Sequence, residues 1–314
     1  MAGFMTSSCA LSVFSVEDLD IKDETQDQVQ KYAFSQTMEV PDSDALEGVT
    51  RSGWVGLGDA QDVDFKFPVF MPPYMAFTLR TDSKKANAKA VKAVLAERIA
   101  AEGSPVSRQR KKELKEMVTL EELKKTPWLP TTTDCILDLD KRRLYIASVS
   151  ESSINEVLTL FERTFGVHPV DCALAVTDMG GQFAEAFRRS VTLDNNVSVY
   201  ADGCSVELQG EGENAEGGMC KSTVRVENND AAVLHALENG LHIVSMRLAS
   251  SMEGQEDIEE HFSLTGALRF PKVKLPKPER GGDDTEEMVQ ETTFLLHANT
   301  LANIADTGIR FAAV

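Results

Sequence analysis

The stretch TDCILDLDKRRLYIASVSESSINEVLTLFERTFGVHPVDCALAV, residues 133–176, has the most regular secondary-structure pattern of the chain. Two β-type runs, Thr133–Leu139 and Arg143–Ala147, flank the polar pair Asp140-Lys141, and this arrangement predicts a β-hairpin. A hairpin that continues into a helix and a further strand is typical of a mixed α and β fold.

The residues after this hairpin predict a helix over Glu151–Phe165. Gly166 stands where a helix C-cap is expected, and Pro169–Val176 predicts a further strand. Four apolar residues recur at helical spacing and are expected to form the buried stripe of the helix: Ile154, Val157, Leu158 and Phe161.

The N-terminal part of the chain combines strands with one helix. The patterns predict β-structure over Cys9–Val16 and within Phe65–Thr81. Between them lie an expected helix, Thr25–Phe34, and an expected glycine-rich turn, Ser52–Gly58. This part is therefore predicted to be a mixed α/β region.

The C-terminal part changes to short strands, interrupted by one expected helix over Asp230–Glu238. The composition of Pro271–Asp284 is typical of a linker, and Thr285–Asp306 predicts a terminal helix. The expected strands are Val197–Tyr200, Ser205–Gln209, Lys221–Val226, Ile243–Ala249 and Leu264–Phe270.

Together these patterns predict an α+β fold that is divided into five regions. Residues 1–75 are expected to form an N-terminal α/β region, and residues 131–190 an α/β region that packs with it. A basic helical hairpin over residues 76–130 is expected between them. Residues 191–275 are expected to form a smaller α+β module, and residues 276–314 a linker and C-terminal helix.

Positive charge is concentrated in one segment of an acidic chain. The chain has 32 Lys and Arg against 50 Asp and Glu, whereas Arg80–Lys125 has 13 basic and 7 acidic residues. Helical spacing on both sides of Gly103-Ser104-Pro105 predicts two helices, each with a basic face. A basic helix face is typical of a solvated surface as well as of a surface that binds phosphates. The candidate phosphate-binding residues on these faces are Lys85, Lys89 and Lys92 on the first helix and Arg108, Lys111, Lys112 and Lys115 on the second.

The composition excludes several classes of protein. A formal net charge of -18 argues against histone-like coating of nucleic acid and against adhesion to an anionic membrane. No run approaches the roughly 18 apolar residues of a membrane span. The first residues lack the basic start of a signal peptide, and five cysteines without a CxxC pair favour reduced thiols. We therefore expect a cytoplasmic protein.

The sequence predicts no catalytic residues, no metal site and no cofactor. The five histidines are scattered, and neither a P-loop nor a GxSxG motif occurs. Asp134, Asp138 and Asp140 are expected on one strand face, where two-metal nucleases gather carboxylates. An exposed strand face is the favoured interpretation, because the glutamates and the lysine that usually support such a site are not found nearby.

Several segments match a known pattern in order and spacing along nearly the whole chain. They are Ser52-Gly53-Trp54-Val55, Leu79–Glu102, Val106-Ser107-Arg108, Lys111–Glu116, Leu144–Val170, Val206-Glu207-Leu208, Lys221–Val226, Leu237-Glu238-Asn239-Gly240, Met246–Ala249 and Met288–Ile304. With these segments the sequence resembles the bacterial recombination-associated protein RdgC family.

This resemblance implies a horseshoe-shaped subunit that pairs into a ring-shaped homodimer with a basic hole for double-stranded DNA. It also implies a protein without catalytic activity that associates with the nucleoid, binds DNA with little sequence preference and restrains RecA-promoted strand exchange. Further DNA-binding positions implied by the resemblance are Lys221, Arg225 and Arg247.

This chain departs from the family pattern at several positions. Val226 and Leu241 replace a polar residue and a lysine of the relatives, so weaker DNA contact is expected in the second module. Thr126–Pro130 keeps only an aromatic residue and a proline of the relatives' segment, so the resemblance implies no gate role for Trp128.

We therefore expect a non-sequence-specific double-stranded DNA-binding ring that modulates RecA-dependent homologous recombination. The alternative is a metal-dependent DNA exonuclease that uses Asp134, Asp138 and Asp140. A third possibility is an acidic interaction protein that binds RecA directly or mimics DNA, for which the net charge of -18 is the support.

Overall fold

The computed structural model describes residues 3–19, 25–35, 48–66, 70–103, 105–175, 179–194, 196–213, 219–253, 259–279, 281 and 284–314. Within these ranges the chain forms seven α-helices and thirteen β-strands, and the paired strands are antiparallel. The predicted α+β class is confirmed.

The strands and helices alternate irregularly along the chain. The strands are β1 Ser8–Ser15, β2 Val49–Val55, β3 Phe70–Met71, β4 Tyr74–Lys84, β5 Leu129–Asp138, β6 Arg143–Ile146, β7 Val170–Asp171, β8 Val191–Thr192, β9 Val197–Glu213, β10 Met219–Glu227, β11 His242–Met252, β12 Glu259–Thr265 and β13 Phe270–Lys274. The helices are α1 Thr25–Lys31, α2 Ala88–Ala101, α3 Arg108–Lys125, α4 Glu151–Phe165, α5 Met179–Arg188, α6 Asp230–Glu238 and α7 Glu286–Ala313.

Strand β1 joins the two halves of the chain into one sheet. The strand order is β10-β9-β11-β12-β13-β1-β6-β5-β4-β2, and the short strands β3, β7 and β8 pair with β4, β1 and β9. Ser8 of β1 is registered with Lys274 of β13, and Ser12 further along β1 is registered with Ile146 of β6. One strand thus holds N-terminal and C-terminal elements side by side.

Two buried apolar clusters lie on this sheet. One contains Trp54 and Phe77 of the sheet together with Phe161 of α4. The larger cluster packs α5 and α7 against the C-terminal strands, through residues such as Phe183 and Phe311. Helix α7 also reaches the N-terminal strands, where the Tyr74 hydroxyl donates to Asn299 Oδ1 at 2.8 Å. The terminal helix therefore stabilises both parts of the sheet.

The most regular sequence patterns are confirmed. Helices α4 and α6 have the predicted bounds, and Gly166 caps α4 in the left-handed region at φ 71°. The hairpin of β5 and β6 and the helical hairpin of α2 and α3 are also present. Within α4 the predicted Leu158 is only partly buried, and Leu160 contributes to the core in addition to the predicted stripe.

The predicted strand over Pro169–Val176 is wrong after its first residues. Strand β7 ends at Asp171, and Cys172–Ala175 forms a 3-10 helix, while Val176 lies outside the described residues. The cause is local, because Asp171 Oδ1 accepts a hydrogen bond from the backbone N–H of Ala173 at 2.9 Å and turns the chain.

The predicted strand Leu264–Phe270 is also wrong, because a tight turn divides it. Strand β12 ends at Thr265, whose Oγ1 accepts from the backbone N–H of Arg269 at 3.2 Å. Strand β13 then begins at Phe270, so the first residues of the expected linker Pro271–Asp284 belong to the sheet. Phe270 and Val273 are buried, and this burial explains why the segment is a strand.

Other elements extend or shift relative to the predictions. Ser52–Val55 belongs to β2 and not to a turn, and the two strands expected over Val197–Gln209 form one long β9. Helix α7 continues beyond the expected end, and α5 lies where no helix was predicted. The division into five regions stays a prediction.

Gly53 shows why β2 needs a glycine in its interior. A Cβ atom at this position would lie 2.4 Å from Phe34 Cα, closer than non-bonded carbon atoms approach. The backbone of the Tyr32–Phe34 segment therefore runs directly against β2, where Trp54 N–H donates to Tyr32 O at 3.0 Å.

Candidate nucleic-acid interface

Each helix of the basic hairpin begins at a side-chain cap. Asn87 Oδ1 accepts from the backbone N–H of Lys89 at 3.0 Å, and Ser107 Oγ accepts from the backbone N–H of Arg110 at 3.2 Å. Such caps satisfy N–H groups that have no partner within the helix, so they fix where α2 and α3 begin. Lys85 precedes the Asn87 cap, so the prediction that it shares a face of the first helix is wrong.

The two helices contact each other through few apolar side chains. Val91 of α2 and Leu114, Val118 and Leu123 of α3 are buried, whereas most other side chains are exposed. A hairpin with so small an apolar contact relies on its attachment to the sheet for its orientation.

That attachment is centred on Trp128, directly after α3. Leu123, Val49 and Trp128 belong to one small apolar cluster at the base of the hairpin. The guanidinium carbon of Arg51 lies 4.3 Å from the centroid of the Trp128 ring, and Lys84 Nζ lies 5.6 Å from it. Trp128 therefore fills the junction between hairpin and sheet, a packing role that the sequence did not indicate.

A buried ion pair lies beneath this junction. Asp82 accepts from Arg80 Nε at 2.8 Å and from Arg51 Nη2 at 2.9 Å, and both Arg80 and Asp82 are buried. Burial alone raises the pKa of the Asp82 carboxyl, but the hydrogen bonds from Arg80 and Arg51 outweigh it and hold the pKa below its usual range. Arg80 also lies over the Phe34 ring, with its guanidinium carbon 4.2 Å from the ring centroid.

The exposed basic side chains of the hairpin fall into two groups. Arg98, Arg110 and Lys125 pair with glutamates within the hairpin, and Lys112 lies 3.8 Å from Glu116. The other predicted residues are exposed and have no acidic partner within 4 Å among the described residues; they are Lys85, Lys89, Lys92, Arg108, Lys111 and Lys115. Six of the seven predicted hairpin positions are therefore free to contact an anion.

The basic residues of the second module are placed differently. On β10, Lys221 is registered opposite Glu211 of β9, and Arg225 is registered opposite Glu207. Arg225 Nε also lies 3.1 Å from Glu227 Oε1. Both positions are exposed, and the carboxylate of Glu227 competes with an incoming phosphate for Arg225.

Arg247 lies on β11 and is paired as well. Its Nε donates to Asp202 Oδ2 at 2.8 Å, and the same oxygen lies 3.0 Å from His261 Nδ1. Desolvation raises the pKa of the Asp202 carboxyl, but the hydrogen bonds from Arg247 and His261 outweigh it and lower the pKa. The structure does not bring Arg247 next to the hairpin residues, because the two lie at different parts of the sheet.

The comparison with known protein families covers nearly the whole chain. A family model described as "Putative exonuclease, RdgC" matches residues 17–307 of the 314-residue chain. The chain belongs to the RdgC family. No curated protein matches it. In the part of this RdgC-family chain that the structure describes, no helix combines the length and apolar character that a membrane crossing needs.

The description of the RdgC family as an exonuclease draws attention to the three aspartates. Asp138 is buried, so the expected exposed strand face is wrong for this residue, and Asp140 follows β5 in an exposed position. Asp134 Oδ1 accepts from the Thr78 hydroxyl at 2.7 Å and Asp134 Oδ2 from the Phe4 backbone N–H at 2.9 Å. Burial raises the pKa of the Asp134 carboxyl despite these hydrogen bonds.

Asp138 also has structural partners. Its Oδ1 accepts from the backbone N–H of Lys141 at 2.9 Å, and its Oδ2 lies 3.3 Å from the Tyr145 hydroxyl. Among the described residues, no group of three or more His, Cys, Asp or Glu side chains is placed to hold a metal ion. The geometry of Asp134 and Asp138 is that of carboxylates that fix strands and turns.

Two lysines of the RdgC-family chain were missed by the sequence analysis. Lys272 and Lys274 alternate with buried Val273 and Leu275, and both are exposed on β13. This period-two alternation is the signal of a half-buried strand, but the neighbouring prolines favoured a linker. Strand β13 places these two lysines near Arg247, on the same face of the sheet.

Proposed function

We propose that this chain is a non-sequence-specific double-stranded DNA-binding protein that forms a ring-shaped homodimer and restrains RecA-dependent recombination. The observation that carries the proposal is the group of exposed hairpin cations without acidic partners among the described residues. Family membership supports a DNA-related role.

The charge distribution supports binding through the DNA backbone. Outside Arg80–Lys125 the chain has 19 basic and 43 acidic residues, so most of its surface repels a polyanion. Lysines and arginines on a helix face neutralise phosphates and release counterions, and this contribution is independent of sequence. A ring needs positive charge only on its lining, and an acidic exterior would keep the duplex inside.

The ring follows from the need to enclose the DNA. A subunit that encloses DNA must close, and two-fold pairing of two horseshoe-shaped subunits is the simplest closure. A closed ring on duplex DNA would obstruct the access of RecA to the homologous duplex, and it would place the protein on the nucleoid. No direct contact with RecA is needed for this effect.

The proposal is tested by titrating labelled duplex and single-stranded DNA of several sequences across a range of salt concentrations. If roughly six phosphates are neutralised, the slope of log K against log salt should be about -5, with little dependence on sequence. A slope near zero or a strong preference for one sequence would contradict the proposal.

The exonuclease alternative is tested with the same labelled duplex. Incubation with Mg²⁺ or Mn²⁺ should leave the duplex intact if the protein only binds DNA. Degradation that requires the metal and is lost in an Asp134→Asn, Asp138→Asn and Asp140→Asn variant with native-like unfolding would favour the nuclease.

A further inference from the structure

A cavity on the open face of the C-terminal part of the sheet is lined by an unusual number of basic side chains. Its volume is about 590 Å³, and its lining includes Arg247, His261, Ser263, Lys272, Lys274 and Lys277. In a chain with a net charge of -18, such a concentration of cations outside the hairpin calls for an explanation.

The strand register places these side chains in rows across the sheet. Arg247 of β11 is registered with Ser263 of β12, and Ser263 is registered with Lys272 of β13. Directly paired residues of neighbouring strands point to the same face and lie about 5 Å apart. Arg247, Ser263 and Lys272 therefore form one row of donors.

A second row runs beside the first. Lys274 is registered with Ser8 of β1, and it lies two residues from Lys272, so both lysines point to the same face. His261 lies two residues from Ser263 on β12 and lines the same cavity. The rows come from four different strands, so the sheet itself holds the donors in place.

Some basic side chains of the cavity have acidic partners and others do not. Arg247 and His261 share the carboxylate of Asp202, at 2.8 Å and 3.0 Å. His261 Nε2 also lies 3.6 Å from Glu259 Oε2. The three lysines are exposed and have no acidic partner within 4 Å among the described residues. An anion in the cavity would thus meet uncompensated ammonium groups and hydroxyl donors.

We infer that this cavity binds a phosphate group through Lys272 and Lys274, with Ser263 and Arg247 as further donors. A tetrahedral phosphate oxyanion accepts several charge-assisted hydrogen bonds at once, which matches donors that line one cavity from neighbouring strands. The phosphate can belong to the DNA backbone or to a free phosphate compound. The inference rests on the proposed function only for the first of these sources.

The test compares three forms of the full chain: wild type, Lys272→Gln with Lys274→Gln, and a control, Lys31→Gln with Arg188→Gln. The control removes two exposed charges from α1 and α5, away from the cavity. Unfolding curves establish that all three fold alike. Each form is then titrated with labelled duplex DNA across salt, and its thermal unfolding is followed with added inorganic phosphate or tripolyphosphate.

If the cavity holds a DNA phosphate, the double-lysine variant should bind duplex about tenfold more weakly at low salt, with a slope of log K against log salt that is less steep by about 1 to 2. If it holds a free phosphate compound, DNA binding should be unchanged, whereas the probes should raise the melting temperature of the wild type and control but not of the variant. The same DNA affinity and the same response to both probes in all three forms would overturn the inference. Failure of the wild type to bind duplex at all would instead contradict the proposed function.

Discussion

The guanidinium carbon of Arg51 lies 4.3 Å from the centroid of the Trp128 ring, at the point where the basic hairpin meets the sheet. Arg51 belongs to β2, and Trp128 follows α3, so this contact joins an edge of the sheet to the end of the hairpin. The same arginine donates to the buried carboxylate of Asp82 at 2.9 Å. The orientation of the hairpin is therefore coupled to a buried ion pair.

Replacing the aromatic ring at this junction should loosen the hairpin. We expect Trp128→Ala to lower the free energy of unfolding by about 1 to 3 kcal/mol, because it removes an apolar contact and a cation–π contact from a partly buried site. Trp128→Phe should retain most of the stability. Urea unfolding measures both effects, and equal stability of all three proteins would show that the ring does not hold the hairpin.

Removing the carboxylate of Asp82 should lower the free energy of unfolding by more than Trp128→Ala does. In Asp82→Asn the two arginines lose their common buried partner, and we expect a loss of about 3 to 5 kcal/mol. Asp140→Asn, at an exposed aspartate, is the matched control and should change stability by less than about 0.5 kcal/mol. Chemical denaturation at neutral pH measures this difference, and similar stability of both variants would contradict the role assigned to Asp82.

The ion pair of Asp82 should make the free energy of unfolding depend on pH. The pKa of Asp82 is lowered in the folded protein, so the folded state favours the carboxylate. Its stabilisation is present above the unfolded-state pKa of about 3.9 and is lost as the pH falls through the lower folded-state pKa. The stability difference between wild type and Asp82→Asn should therefore shrink in acid. A difference that stays constant from neutral pH to acid would contradict the charged pair.

The sequence predicts an element well when the features that determine its structure lie within the segment itself. Helix Glu151–Phe165 was predicted with its bounds, because an apolar stripe and a C-cap glycine act within the segment itself. Helix Met179–Arg188 was missed, since its paired glycines disfavour a helix. Burial of Phe183 and Ala186 against the C-terminal strands outweighs that local preference.

The residues of the candidate interface also differ in how well the sequence predicts them. The exposed basic faces of α2 and α3 follow from helical spacing, so most of those residues could be named from the sequence. Lys272 and Lys274 could not, because their segment forms a strand by pairing with β12 on one side and, on the other side, with Ser8 and its neighbours near the other end of the chain. A propensity argument does not detect pairing between such distant segments.

The proposed ring requires a homodimer in solution. Light scattering should report about twice the chain mass of 34.4 kDa at micromolar concentration, with and without DNA. The mass should not depend strongly on salt if the subunits pair through apolar contacts. A monomeric protein that still binds duplex DNA would refute the ring and leave the DNA-binding proposal intact.

Reversing the charge of the hairpin should weaken DNA binding most. Lys111→Glu with Lys115→Glu changes two exposed residues of α3, and in a homodimer it changes four sites per ring. Because attraction is replaced by repulsion, we expect at least a tenfold loss of duplex affinity at low salt. Stability should change by only about 0.5 kcal/mol, as is usual for exposed positions.

The comparison variant Lys221→Glu with Arg225→Glu should lose less affinity, since Glu207 is registered opposite Arg225 and Glu227 Oε1 lies 3.1 Å from its Nε, so the charge of this arginine is already offset. Lys31→Glu with Arg188→Glu reverses two exposed charges on α1 and α5 and controls for net charge alone. Salt-matched titrations with unfolding curves rank the three variants. If the α3 variant folds normally and binds as well as the control, the basic faces of the hairpin are only solvated surface, and DNA must bind at another part of the molecule.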